Sequence, residues 1–224
     1  MATSENLAGD KIYEASGLQV LNWNHQRRLD LEQSVFQEPE ILSLSIKFRD
    51  LSFSAFEKAY RDLVERHDIL RTTFFEENGT LWQKISPYKF YFYDTGVFDI
   101  SALAVKDEYI KEQTREAINC VCRLEKGPLI KSMLFKVTKR EFWLVCIIHH
   151  IISDAKSLDI IKKELVGLYR VHKYGHSSGL PSIDYNVAEH SRVQNEFVNG
   201  NSGHRQHAFW MAKFQKYPLL SFLD

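Results

Sequence analysis

The sequence lacks net charge: 29 lysines and arginines stand against 29 aspartates and glutamates. Nucleic-acid binders draw affinity from excess Lys and Arg meeting phosphate, so that class is excluded. No apolar run reaches the ~18 residues of a membrane span. Met1 to Asp10 is polar and small, which does not read as a signal peptide. Cysteine is scarce and odd in number, with Cys120, Cys122 and Cys146. The first two are separated by one residue, whereas zinc pairs usually leave about two to four between them. They read as reduced thiols of a cytosolic protein. Repeats and low-complexity tracts are absent as well. What is present is apolar material, with hydrophobic residues at 44% and aromatic ones at 13%. That is enough to bury a core and to exclude wholesale disorder. A length of 224 residues allows one large domain or two small ones.

Helix and strand signals alternate, which points to an α/β or α+β fold. Residues 22–34 predict a short polar helix and 41–49 a strand. Over 52–67, Phe56, Ala59, Tyr60, Leu63 and Val64 recur at helical spacing, with Ser54 and Glu57 as an expected capping box. Residues 70–76 read as a strand, Asn78-Gly79 as a turn, and 81–85 and 90–93 as further strands. A long helix is expected over 101–124, starting at Ser101, and a hairpin over 129–148 with its turn at Thr138–Glu141. In that hairpin Phe142-Trp143-Leu144-Val145-Cys146-Ile147-Ile148 is apolar on both faces, so it should lie centrally in the sheet. An amphipathic helix over 157–174 should turn Leu158, Ile161, Leu165, Leu168 and Tyr169 inward and stop at Gly175. Two polar helices, 184–198 and 204–216, follow.

Chemistry concentrates in His149-His150-Ile151-Ile152-Ser153-Asp154-Ala155-Lys156-Ser157. Two histidines close a buried strand, and neutral imidazole accepts a proton near pH 7. Neighbours on a strand face opposite ways, so one histidine can look into a cleft while the other is satisfied inside the protein. Strand parity does not choose between them. A metal shared by His149, His150 and Asp154 is disfavoured, because adjacent strand histidines cannot easily share an ion. Ser153 lacks the GxSxG elbow of a nucleophile. Asp154, at a core edge, needs a cation or several donors. Arg71 in Arg66-His67-Asp68-Ile69-Leu70-Arg71-Thr72 offers a planar guanidinium. His67 is expected to cap a helix end, His204 and His207 to be solvated, and Phe209 and Trp210 to be core residues.

HHIISDA resembles the HHxxxDG signature of the condensation domains of nonribosomal peptide synthetases and related acyltransferases. RHDILRT over 66–72 resembles their RHExLRT motif, and Gln26-Arg27-Arg28-Leu29 the end of SxAQxRLW. Asp184-Tyr185 is similar to the DF/DY pair of YxDFAxW, and Phe209-Trp210 to the YW that often follows. The sequence departs from these patterns at Trp23, His25 and Asp30, at Ala155 in place of glycine, and at Asn186. An alanine at 155 would be strained if its backbone needed positive φ. Chloramphenicol acetyltransferase shares length and motif, but its histidine lies near the C-terminus, whereas here the motif sits two-thirds along the chain.

The resemblance implies a chloramphenicol-acetyltransferase-like lobe, an α+β two-layer sandwich with helices packed on a mixed sheet. It implies amide formation between an acyl or peptidyl thioester and an aminoacyl thioester. Both are delivered on 4′-phosphopantetheine arms of donor and acceptor carrier proteins, with no cofactor of the lobe's own and no metal. His150 would be catalytic, as general base or by orienting the amine and stabilising the tetrahedral intermediate. His149, Asp154 and Arg71 would be structural, with Asp154 paired to Arg71, and Ser153, Ala155 and Ser157 would line the substrate tunnel. The alternatives are a stand-alone acyltransferase using a CoA or carrier thioester, or a degenerate docking lobe. Nothing matches the motifs of the family's second lobe. The expectation is therefore an N-terminal lobe over 1–180, with 181–224 leading towards a missing C-terminal lobe and the apolar stretch Lys216–Asp224 near the junction. An engineered truncation, a proteolysed fragment or a truncated gene would explain this. The expected setting is cytoplasmic, beside an adenylation domain in the parent polypeptide.

Overall fold

A computed structural model describes residues 9–32, 41–89 and 95–216. Along the chain run β1 (Lys11–Glu14), α1 (Gly17–Glu32), β2 (Ile41–Arg49), α2 (Phe53–Arg66), β3 (Thr72–Glu77) and β4 (Thr80–Ile85). They are followed by β5 (Gly96–Asp99), α3 (Lys106–Val121), β6 (Ile130–Lys136), β7 (Glu141–His149), α4 (Ala155–Tyr174), α5 (Val187–Asn199) and α6 (Asn201–Lys216). Strands β1, β4 and β3 form a small antiparallel sheet in that order. The larger sheet runs β2-β7-β6-β5 and is antiparallel except for the β5–β6 pair, whose parallel crossover contains α3.

The doubly apolar run lies centrally, as its sequence demands. Strand β7 pairs with β2 from Ile41–His149 to Arg49–Glu141 and with β6 on its other side. On one face Leu144, Cys146 and Ile148 join Leu134, Phe56, Leu63 and Leu165 in the main core under α2 and α4. On the other, Ile147 packs with Met133, Phe135, Ala117 and Val121 beneath α3. Each fully buried side chain of this size contributes about 1.5–3 kcal/mol. That double cover holds the end of β7, and with it His149, rigid.

Helix ends differ in places from the sequence expectation. Helix α1 begins five residues earlier, where Ser16 and Gln19 form a reciprocal cap: Ser16 N donates to Gln19 Oε1 at 2.8 Å and Gln19 N to Ser16 Oγ at 3.3 Å. The N-cap of α2 is Ser52, whose Oγ accepts from Ala55 N at 3.4 Å, and not Ser54. Ser101 does not open α3; its amide and hydroxyl both donate to Asp99 Oδ1, and the helix starts at Lys106. The short strands β1 and β5 have no counterpart in the sequence signals. Helix α6 begins at Asn201, leaving only Gly200 between it and α5. Asn78 adopts φ 52° and Gly79 φ 78°. This is the left-handed pair that a tight hairpin between β3 and β4 requires. Gly175, at φ 72°, ends α4 as expected. The strand expected at 90–93 lies outside the described residues, as does the stretch 217–224.

Candidate active site at the end of the central strand

Strand β7 stops at His149, and His150 opens a 3-10 turn with Ile151 and Ile152. The two histidines therefore do not share a strand, and strand parity does not decide where His150 points. His149 is 1% exposed. Its Nδ1 accepts from Ile151 N at 3.0 Å. An imidazole that accepts at one nitrogen carries its proton on the other. That proton sits on Nε2, which lies 3.2 Å from Gln26 Oε1. Gln26 in turn donates from Nε2 to Asp30 Oδ1 at 2.9 Å. Burial first, then the neighbouring imidazoles of His150 and His25, push His149 down to about 4. Near pH 7 it is a neutral, doubly bonded group.

His150 is half-buried, and its ring nitrogens have no hydrogen-bond partner among the described residues; Nδ1 is buried. Its carbonyl is held instead, by Asn22 Nδ2 at 3.4 Å and Ser153 N at 3.3 Å. Ser153 Oγ donates to the carbonyl of His149 at 3.0 Å. Helix α1 thus grips the turn at two points, through Asn22 and Gln26, one helical turn apart.

The expected ion pair between Arg71 and Asp154 does not form. Asp154 is exposed and caps α4: Ser157 N donates to its Oδ1 at 2.7 Å, and its own amide donates to Ser157 Oγ at 3.2 Å. The hydroxyl of Ser157 also donates to that carboxylate, which holds Asp154 below the usual carboxylate range. Helix-start donors near the chain satisfy this acid without a distant cation. Arg71 pairs with Asp68, three residues back in its own motif, and donates to the carbonyls of Val64 at 3.1 Å and Ser86 at 2.5 Å. It ties the end of α2 to the exit of β4. Ala155, first residue of α4, is not among the positive-φ residues, so alanine sits there without strain.

The remaining motif residues have separate tasks. Glu164 on α4 accepts from Arg66 Nε at 3.0 Å and lies 2.6 Å from His67 Nε2. The His67 ring bridges two helices, while its backbone N–H closes α2 on Leu63. Asn186, where alanine is usual, caps α5 by accepting from Glu189 N at 2.9 Å. Phe209 and Trp210 are exposed on α6 and meet edge to face, contrary to the core placement expected of them. A cavity of about 970 Å³ between α1 and the end of α3 is lined by Trp23, Gln26, Arg27, Asp30, Glu76 and Arg123 among others; His150 is not on its wall. The early motif carrying Gln26 is visible in the sequence, but its bond to His149 links residues 123 positions apart, beyond any local pattern. Among the described residues no helix is long and apolar enough to cross a membrane.

Known proteins share this fold. A family model described as "Condensation domain" matches residues 10–223. Bacitracin synthase 3 of Bacillus licheniformis is 30% identical over 202 residues, covering 88% of this chain and 3% of the synthase. Gramicidin S synthase 2 of Aneurinibacillus migulanus is 28% identical over 172 residues, covering 76% of this chain and 4% of that protein. A mutant of the starter condensation domain of rhizomide synthetase superposes with a TM-score of 0.77 at 18% identity, covering 92% of this chain and 46% of that one. The epimerization domain of tyrocidine synthetase B superposes at 0.75 with 19% identity, covering 93% of this chain and 44% of that one. The chain thus spans about half the length of the solved domains it matches and a few per cent of the synthases.

Proposed function

This chain belongs to the condensation-domain family, and from that premise we propose that it is the N-terminal half of an amide-forming site in a nonribosomal peptide synthetase. On this reading residues 1–180 form the lobe and 181–224 lead towards a second lobe that supplies the other wall of the tunnel. The substrates are an acyl or peptidyl thioester and an aminoacyl thioester, each on the phosphopantetheine arm of a carrier protein in the cytoplasm. One solved neighbour, a mutant of the rhizomide starter domain, is in complex with C8-CoA and Leu-SNAC, which supports thioester-linked ligands for this fold.

The carrying observation is the division of labour in the His149–His150 turn. His149 has both nitrogens committed, whereas the ring of His150, beside it, has no hydrogen-bond partner among the described residues. The amine attacks the thioester carbonyl, the C–N bond forms, the tetrahedral intermediate collapses with loss of the C–S bond, and the amine proton ends on the departing thiol. An α-amine is already a competent nucleophile, so holding the two arms in line contributes most of the rate. His150 orients the amine and takes its proton as the bond forms. His149, Asp154 and Arg71 hold the frame. Of the three tunnel candidates, Ser153 and Ser157 spend their hydroxyls on the frame, which leaves the exposed methyl of Ala155 to face substrate.

His150→Ala in the complete synthetase, assayed with carrier-loaded donor and acceptor, is expected to lower amide formation by about 10²-fold or more. Product formation at the wild-type rate would remove His150 from the chemistry.

A further inference from the structure

We propose that Asp30 is a positioning residue for His150, acting through Gln26 and His149; its bearing on catalysis rests on the amide-forming reading. Asp30 stands where the resembled early motif has tryptophan, so its effect belongs to this chain. The hydrogen bonds form a directed series. Asp30 Oδ1 accepts from Gln26 Nε2 at 2.9 Å, Gln26 Oε1 faces His149 Nε2 at 3.2 Å, and His149 Nδ1 accepts from Ile151 N at 3.0 Å. The last bond spans the turn that begins with His150.

Only one assignment of protons fits the whole series. A glutamine side chain can present either its carbonyl or its amino group to a neighbour. If Gln26 turned over, its oxygen would face the Asp30 carboxylate and its NH₂ would face the N–H of His149. The flip would forfeit two bonds at once. Without Asp30 it would forfeit one, and His149 could follow by moving its proton to Nδ1, which breaks the bond to Ile151. Asp30 and Gln26 are four residues apart on α1, neighbours on the helix surface, so the pair is preorganised. Gln26 and His149 are buried while Asp30 is exposed, so the carboxylate can be altered without opening the core.

The test is nitrogen NMR on the 224-residue chain labelled at histidine and backbone amides, comparing wild type, Asp30→Ala and Asp30→Asn. Wild-type His149 should show a protonated Nε2 and a bare Nδ1. In Asp30→Ala the His149 nitrogens and the Ile151 amide should shift together, and the Nε2 proton should exchange with water about tenfold faster, as loss of one hydrogen bond would allow. Asp30→Asn keeps an acceptor oxygen and should restore wild-type signals, which a merely structural effect of the alanine would not predict. Unmoved His149 signals in Asp30→Ala would overturn the proposal, as would movement that asparagine fails to reverse, or a shift of His149 that leaves Ile151 untouched. The readout needs no turnover, so its failure is distinct from failure of the amide-forming reading, which His150→Ala decides.

Discussion

At the residue scale, His149 makes acid a specific threat to the fold. In the unfolded chain a histidine titrates near ~6.5. Burial pushes the folded value down to about 4. Between those values the unfolded chain binds the proton and the folded chain does not, so stability rises with pH across that window and is fully present above it. Lowering the pH from 7 to 4.5 should therefore cost about 2.5 kcal/mol through this one group. Urea titrations of wild type and His149→Gln at both pH values measure it: the wild type should lose that much more than the variant. Equal losses would show that another group carries the acid sensitivity. The candidate site residues stood out in the sequence, because two adjacent histidines after an apolar run are rare and the motif is specific. Their partners were not. Arg71 and Asp154 looked matched by charge, yet Asp68 competes from three positions away and the start of α4 supplies Asp154 with donors at hardly any entropic cost. For this pair, partners nearby in the chain outcompete the distant one.

At the scale of elements, strongly periodic segments read correctly and short or capped ones did not. Helices α2 and α4 declared themselves by repeating apolar positions, and the hairpin β6–β7 by its polar turn. Strand β5 has only four residues, Gly-Val-Phe-Asp, too few for an alternation to be read from the sequence. The start of α1 was readable in principle, since Ser16 and Gln19 form the S-x-x-Q box. The α2 cap offers a direct comparison of two serines. Ser52 accepts from Ala55 N, and its own amide donates to Tyr169 Oη at 3.0 Å, anchoring α2 to α4. Ser54 is exposed inside the helix. Loss of the cap in Ser52→Ala should cost about 1 kcal/mol. Ser54→Ala should change stability by less than about 0.5 kcal/mol, the usual range for a surface substitution. Thermal midpoints of the two variants check this. A larger effect at Ser54 would restore the cap expected from the sequence.

At the scale of the whole molecule, the pieces converge on one end of β7. The larger sheet fixes His149 through its double cover, α1 reaches across with Asn22 and Gln26, and α4 begins at the far side of the turn with Asp154. What this assembly offers His150 is orientation from behind; the described residues place no second wall in front of it. The solved domains it resembles are about twice as long. If amide formation depends chiefly on holding two thioester arms in line, a contribution that reaches effective molarities of about 10⁵–10⁸ M in well-oriented systems, one wall should supply almost none of it. A loose arm samples many poses, and a lone imidazole adds only about 10²–10⁴ even when placed correctly. The 224-residue chain, mixed with carrier-loaded donor and acceptor, is therefore expected to form amide no faster than the uncatalysed reaction, followed by mass spectrometry of the acceptor arm. Turnover by this chain that disappears in His150→Ala would mean that the turn catalyses without a facing wall, and that chemistry at His150 outweighs positioning.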